Sequence, residues 1–170
     1  YSPFDKNFLT IEFFFFLCAQ LRMDTVIFGD HPGIPQLCMD AIAAAQIDDI
    51  PFSLTIVSEK ADELEERFFS ACPGIADAPQ GLSVHRPSFI KLRPESPAFQ
   101  KYLVVRPKER RESEEERIAA LLQSASYIVV YTAEEKRNLT LAMYLREWYL
   151  KTDPSFSRLP FIAAYCERAD

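Results

Sequence analysis

Glycine is nearly missing from this chain of 170 residues: only Gly29, Gly33, Gly74 and Gly81 occur. A phosphate-cradling loop needs several glycines at fixed offsets, so a Walker A loop and an intact G-x-G-x-x-G fingerprint are both excluded. Histidine is scarcer still, with His31 and His85 alone. The four cysteines, Cys18, Cys38, Cys72 and Cys166, form no C-x-x-C pair. Structural zinc draws on clustered Cys and His, so no metal site is expected. Each Cys lies in or beside an apolar stretch, which predicts buried free thiols in a reducing compartment. Neither G-x-S-x-G nor H-E-x-x-H occurs. A membrane-spanning run is lacking as well. The apolar stretch from Phe8 to Leu21 is broken by Glu12 and Gln20 and falls short of the roughly 20 residues that a spanning helix needs. No basic n-region with a small-residue cleavage site marks a signal peptide. The chain opens on Tyr1 rather than Met, which reads as a piece of a longer protein or a trimmed product, and a membrane segment preceding it is compatible with that.

Excess positive charge is also missing. The net charge is −6, which argues against a dedicated nucleic-acid binder. The charge is uneven, however. Residues 1–85 hold 4 Lys/Arg and 13 Asp/Glu, and residues 86–170 hold 15 and 12. The basic excess concentrates between Arg86 and Arg111, which reads as a solvated loop or as a patch for a phosphate, an anionic lipid or an acidic partner. What the chain has in quantity is apolar material: 48% of residues, with 14 Phe and 7 Tyr. That composition excludes intrinsic disorder and suits one domain with a substantial core.

Residues 1–22 form an aromatic lead-in. Phe8, Ile11, Phe14, Phe15 and Cys18 share a helical face, and Phe13 and Phe16 make the segment apolar nearly all round, so it wants a core, a partner or a bilayer. From residue 23 on, short apolar runs alternate with amphipathic segments. Strands are predicted at Asp24–Phe28, Phe52–Val57, Ser88–Leu92, Tyr127–Tyr131 and Phe161–Tyr165. Helices are predicted over 34–45, 61–70, 114–123 and 133–149. Pro35 suits a helix's first turn, Pro73-Gly74 should end the second helix, and Ser113 with Glu116 would form a capping box. Residues 94–112 read as an insertion with one short strand at Tyr102–Val105. The continuously apolar Tyr127–Tyr131 is the mark of a strand covered on both faces. The alternation predicts an α/β domain over 23–170, a Rossmann-like, doubly wound parallel sheet of five or more strands in the order 3-2-1-4-5 with helices on both faces.

In such a sheet, ligands bind outside the carboxyl ends of the strands at the switch point. The candidate cofactor-binding residues are therefore Gly29, Asp30, His31 and Gly33 in the first turn, Ser58 and Glu59 after strand 2, and Thr132 after strand 4. The turn precedes a helix, so its N–H groups and the dipole would favour a phosphate. A carboxylate at Glu59 can accept from both hydroxyls of an adenosine ribose. The fingerprint is damaged: in Gly29-Asp30-His31-Pro32-Gly33-Ile34 only the first glycine is in place. Asp30 adds negative charge beside a would-be phosphate, and His31 either offsets it or is a plain turn residue. No catalytic residue is assigned. Pairing Cys38 with His31 is a poor nucleophile–base match, seven residues apart and on a helix.

Ser124-Ala125-Ser126-Tyr127-Ile128-Val129-Val130-Tyr131-Thr132, then Glu134-Glu135 and Asn138-Leu139-Thr140-Leu141-Ala142, resembles the TrkA N-terminal (RCK) domain. Val26-Ile27-Phe28-Gly29 is similar to that family's opening strand, and Ile56-Val57-Ser58-Glu59 to its second, which ends in an acid. The resemblance spans roughly residues 24–165. It implies a cytoplasmic, non-catalytic domain that senses NAD or another adenine nucleotide and regulates potassium channels or transporters, or a signalling protein. It also implies a homodimer joined through its sheet edge and helices, membrane-associated through a parent chain. The 94–112 insertion is unusual for the family. Two other readings stand beside it: a nicotinamide-dependent oxidoreductase, for which the chain lacks Tyr-x-x-x-Lys and room for a substrate domain, and a dimerisation module with a vestigial pocket.

Overall fold

The structure, a computed structural model, describes residues 23–45, 52–77, 85–95, 99, 120–152 and 159–166. The lead-in 1–22, the capping box at Ser113 and the short strand at 102–105 lie outside the described residues. Among those described, five strands form one sheet: β1 (Met23–Phe28), β2 (Phe52–Ser58), β3 (Ser88–Lys91), β4 (Tyr127–Val130) and β5 (Phe161–Ala164). The helices are α1 (Ile34–Ala44), α2 (Ala61–Ala71), the single turn α3 (Pro73–Ala76) and α4 (Glu135–Thr152). Residues 120–124 are helical as well.

All strand pairs are parallel, in the order β3-β2-β1-β4-β5. This is the predicted Rossmann-like α/β arrangement. The register sets Thr25 of β1 beside Leu54 of β2 on one edge and Tyr127 of β4 on the other. Side chains then sort by the two-residue period of a strand. Met23, Ile27, Leu54, Ile56 and Tyr127 point to one face, where Ile34, Cys38 and Ile42 of α1 and Leu64 and Phe68 of α2 cover them. Val26, Phe28, Val57, Ile128 and Val130 point to the other, under Leu122 and Leu141, Leu145 and Trp148 of α4. Right-handed crossovers dictate this division. The chain steps from β1 to β3 in one direction, then returns to build β4 and β5 in the other, so the later helices land on the opposite face.

Local chemistry explains where the elements start and stop. Pro35 occupies the first turn of α1, where a missing N–H costs nothing. Asp62 and Glu63 stand at the positive end of α2. The second helix ends at Ala71, just before Pro73-Gly74 as expected, and Pro73 then opens the separate turn α3, because proline is as well suited to a first turn as it is unsuited to a helix interior. The fourth helix begins two residues later than expected, since the hydroxyl of Thr132 accepts from the Glu134 N–H at 3.2 Å and holds 132–134 in a turn. Tyr149 anchors its far end by donating to the Leu122 carbonyl at 2.5 Å. No helix among the described residues is long and apolar enough to cross a membrane.

Phe68 is fully buried between α2 and the sheet, with its ring 5.2 Å from Phe69 and 6.1 Å from Phe89. Phe68→Ala should cost about 3–5 kcal/mol of unfolding free energy, read as a lower urea midpoint. A loss below about 1 kcal/mol would show that this face is not close-packed.

Candidate functional site

Five parallel strands gather their carboxyl ends at one edge of the sheet. The chain leaves β1 toward one face and β4 toward the other. The turn after β1 is tightly tied to β4. Gly29 has φ +146°, and a Cβ there would stand 2.0 Å from the Tyr131 carbonyl oxygen. The Gly29 N–H donates to the Val57 carbonyl at 3.2 Å, and the His31 N–H to the Tyr131 carbonyl at 3.2 Å. The Gly33 N–H donates to His31 Nδ1 at 2.9 Å, and the Ile34 N–H to the His31 carbonyl at 3.1 Å. A Cβ on Gly33 would stand 2.8 Å from the Tyr131 hydroxyl. Both glycines therefore serve the close approach of Tyr131. The His31 ring stacks on Tyr131 with centroids 4.0 Å apart, and Tyr131 lies 4.6 Å from Tyr165. Burial, with Tyr165 adding to it, pushes the Tyr131 phenol up.

A charged cluster lies beside this turn. Arg137, on the first turn of α4, binds Glu95 with both ends of its fork: Nε to Oε1 at 2.5 Å and a terminal nitrogen to Oε2 at 3.0 Å. The same guanidinium donates to Asp30 at 3.1 Å and pairs with Glu59 at 3.7 Å. Arg93 stands 3.9 Å from both Glu59 and Glu95. Three acids from the ends of β1, β2 and β3 thus meet two arginines. The Arg137 side chain is 23% exposed and that of Asp30 14%, so solvent screens this pairing only in part. The hydrogen bonds from Arg137 hold the Glu95 carboxyl below its usual range, against the upward push of burial. Glu95 in turn raises the Arg137 guanidinium further above its ordinary value. A cleft of about 300 Å³ opens next to the cluster, between Pro94-Glu95 and the first turns of α4, with Lys136, Thr140 and Tyr144 on its wall.

The sequence candidates divide into three groups. Asp30 and Glu59 converge on Arg137. Gly29, His31 and Gly33 shape the turn. Ser58 and Thr132 have local tasks: the Ser58 hydroxyl accepts from the Lys60 N–H at 3.0 Å, and the Thr132 N–H donates to Asn138 Oδ1 at 2.7 Å. Asn138 is fully buried and also donates to the carbonyls of Thr132 at 3.2 Å and Tyr165 at 2.9 Å. It locks the exits of β4 and β5 to α4. Sequence reasoning quoted Asn138 only as part of a family-like pattern, and it missed Glu95 and Arg137. Glu95 sat in a proline-rich stretch, and Arg137 in the mixed run Glu134-Glu135-Lys136-Arg137, where nothing separates a buried fork from a solvated one. The described part of the basic stretch is compensated locally: Lys91 by Asp62, Arg93 by Glu59 and Glu95, and Arg86 over the Phe69 ring at 4.6 Å. Burial pushes the Cys38 thiol up to about 12, so it stays protonated and inert at neutral pH.

The lowered Glu95 carboxyl has a consequence for acid stability. Its folded value lies below the ordinary 4.5, so its contribution is fully present above that pH and is lost as pH falls through the folded value. Glu95→Gln should be less stable than the parent at pH 7, and the gap should narrow on acidification below pH about 4.5. Urea midpoints at pH 7 and pH 3.5 check this, and a gap independent of pH would refute it.

The chain matches no family model, no curated protein and no solved structure.

Proposed function

We propose that this chain is a non-catalytic, ligand-sensing regulatory domain, in which a ligand of the adenine-nucleotide class seats over the β1 turn and is read out through α4. The observation that carries this reading is the placement of Arg137. One guanidinium on α4 is tied to acids at the ends of three strands. A ribose that engages Glu59 competes with Arg137 and Arg93 for that carboxylate. Occupancy there then alters how α4 is held to the sheet, and a ligand shifts an equilibrium only through such a difference in contacts. The location agrees with the rule for open α/β sheets. The context of potassium transport rests on the resemblance of residues 124–142 to TrkA-N domains, and it extends the proposal to regulation of a channel or transporter.

Thermal unfolding of the whole chain with adenosine, ADP, ATP and NAD tests this. A ligand at 100 times its Kd stabilises by about 2.7 kcal/mol, so at least one should raise Tm, and Glu59→Ala should abolish the rise. Four flat responses would overturn the sensor reading.

A second reading, a module that dimerises, is favoured by a specific surface. Leu139, Met143 and Leu150 lie within 40° on the outer side of α4 by the helical period, and all are exposed, Met143 at 73%. Phe161 on the edge strand β5 is also exposed. Light scattering should give a dimer for the parent and a monomer for Met143→Glu. A parent that stays monomeric at all concentrations removes this reading.

A further inference from the structure

We infer that the open edge of β5, together with the flank of α4 above it, is the surface on which a second copy of this chain docks, the two β5 strands pairing antiparallel across a two-fold axis at Ile162 to make one continuous sheet. The inference rests on the dimer reading above and names its interface. It starts from the two ends of the sheet. β3 carries Lys91 within the strand and is bracketed by Pro87 and Pro94, the charge and prolines that keep an edge from pairing. β5 has neither charge nor proline along its length, and none of its residues is fully buried. The Phe161 N–H donates to the Ser126 carbonyl and the Tyr165 N–H to the Val130 carbonyl, so alternate residues bond to β4. The N–H and C=O groups of Ile162 and Ala164 therefore point outward, and among the described residues no strand pairs with them.

α4 supplies an independent match. Leu139, Met143, Arg146 and Leu150 follow one another at steps of four, three and four residues, the spacing of a helix–helix seam. Arg137, Thr140 and Tyr144 line the cleft beside Pro94, just after β3. By the helical period Leu139 and Arg146 lie on the opposite flank, above the β5 edge. The seam is balanced about its middle: Leu139 and Leu150, and Met143 and Arg146, are both centred between residues 144 and 145. An antiparallel second helix thus sets leucine on leucine at each end. It sets Arg146 against Met143 of the second copy, one turn from Glu147 of that copy. A parallel helix would set Arg146 against Arg146, like charge on like.

Strand and helix share one axis. Asn138 Nδ2 donates to the Tyr165 carbonyl at 2.9 Å, which sets the level of α4 against β5. From Tyr165 back to Ile162 is about 10 Å of strand, and that length of helix is about six to seven residues. Ile162 therefore stands level with residues 144–145 of α4, the centre of the seam. An axis at Ala163 would fall level with about residue 142 and leave the seam out of step. Pairing about Ile162 gives reciprocal hydrogen bonds between the two Ile162 residues. It also sets Phe161, 51% exposed, opposite Ala163 of the second copy, a large side chain beside a small one.

Analytical ultracentrifugation of the whole chain, combined with oxidative cross-linking, tests the inference. Phe161 and Ala163 of the second copy form a non-hydrogen-bonded pair, with Cα atoms about 4.5 Å apart, within disulfide reach. Phe161→Cys and Ala163→Cys, mixed and left to exchange subunits, should give at least tenfold more covalent dimer than either variant alone or the parent, whose own cysteines supply the background. Ala164→Pro removes an outward N–H at an edge where proline is tolerated, and it should weaken the dimer at least tenfold. A parent that dimerises while the mixture gives no such excess would overturn the inference and leave the dimer reading standing. An Ala164→Pro variant that dimerises as tightly as the parent would overturn it too. A parent that stays monomeric at all concentrations would remove the dimer reading itself, and this inference with it.

Discussion

Every residue of β1 is buried, and both of its backbone edges are paired, one with β2 and the other with β4. The rest of the sheet hangs from this pairing. β2 and β3 reach the body of the protein through one edge of β1, and β4 and β5 through the other. The pairing does not stop at Phe28. The Tyr131 N–H donates to the Phe28 carbonyl at 2.8 Å, and the Tyr131 carbonyl then accepts from His31. The exit of β4 is in this way bonded into the turn after β1. That bond is possible only because residue 29 has no Cβ to collide with the Tyr131 carbonyl.

The charged cluster depends on the same geometry. Asp30, Glu59 and Glu95 belong to three different strand exits and come together only when the strands are parallel and in register. A partly buried carboxylate without a partner is costly, as is a partly buried guanidinium, and each supplies what the other lacks. This separates the cluster from Glu63–Arg67 and Glu147–Lys151, exposed i, i+4 pairs on α2 and α4. Such pairs contribute about 0.3–0.5 kcal/mol and tie no two elements together. Arg137 joins a helix to the ends of three strands, so the position of α4 and the charge state of the strand ends are one variable rather than two.

The fold was legible in the sequence because it rests on periodicities that survive without tertiary information. Tyr127–Val130 is apolar at every position, as a strand covered on both faces must be. Ala61–Ala71 buries Ala61, Leu64 and Phe68, one side of a helix. The expected order of five strands follows from the alternation and from the handedness of crossovers, and it is the order observed. The strand-end rule also expects Asp30 and Glu59 at the carboxyl edge of the sheet, and both follow the ends of their strands there. The partners of these acids were not legible, for a physical reason. Arg137 lies 107 residues from Asp30 and 42 from Glu95, and a charged residue near a helix start reads alike whether its fork meets water or carboxylates. Boundaries such as the late start of α4 depend on a hydroxyl–amide bond at Thr132, a local detail to which apolar periodicity is blind.

The altered glycine fingerprint reads differently once its contacts are known. At the second fingerprint position His31 does not merely fill space. Its Nδ1 accepts the Gly33 N–H, and its ring lies on Tyr131. At Gly33, the room that a missing side chain leaves is taken by the Tyr131 hydroxyl. The N–H groups of Gly29, His31, Gly33 and Ile34 are thus all bonded within the protein. The acids beyond the turn have not been satisfied to the same degree, because one fork cannot give full hydrogen bonds to three carboxylates. Arg137 gives two to Glu95 and one to Asp30, leaving Glu59 at ion-pair distance. A hydrogen-bond donor entering here finds Glu59 the least committed of the three, and each bond it makes weakens the hold of the β2 end on α4. The incomplete sharing of Arg137 therefore leaves Glu59 the least committed of the three carboxylates while still tying the end of β2 to α4.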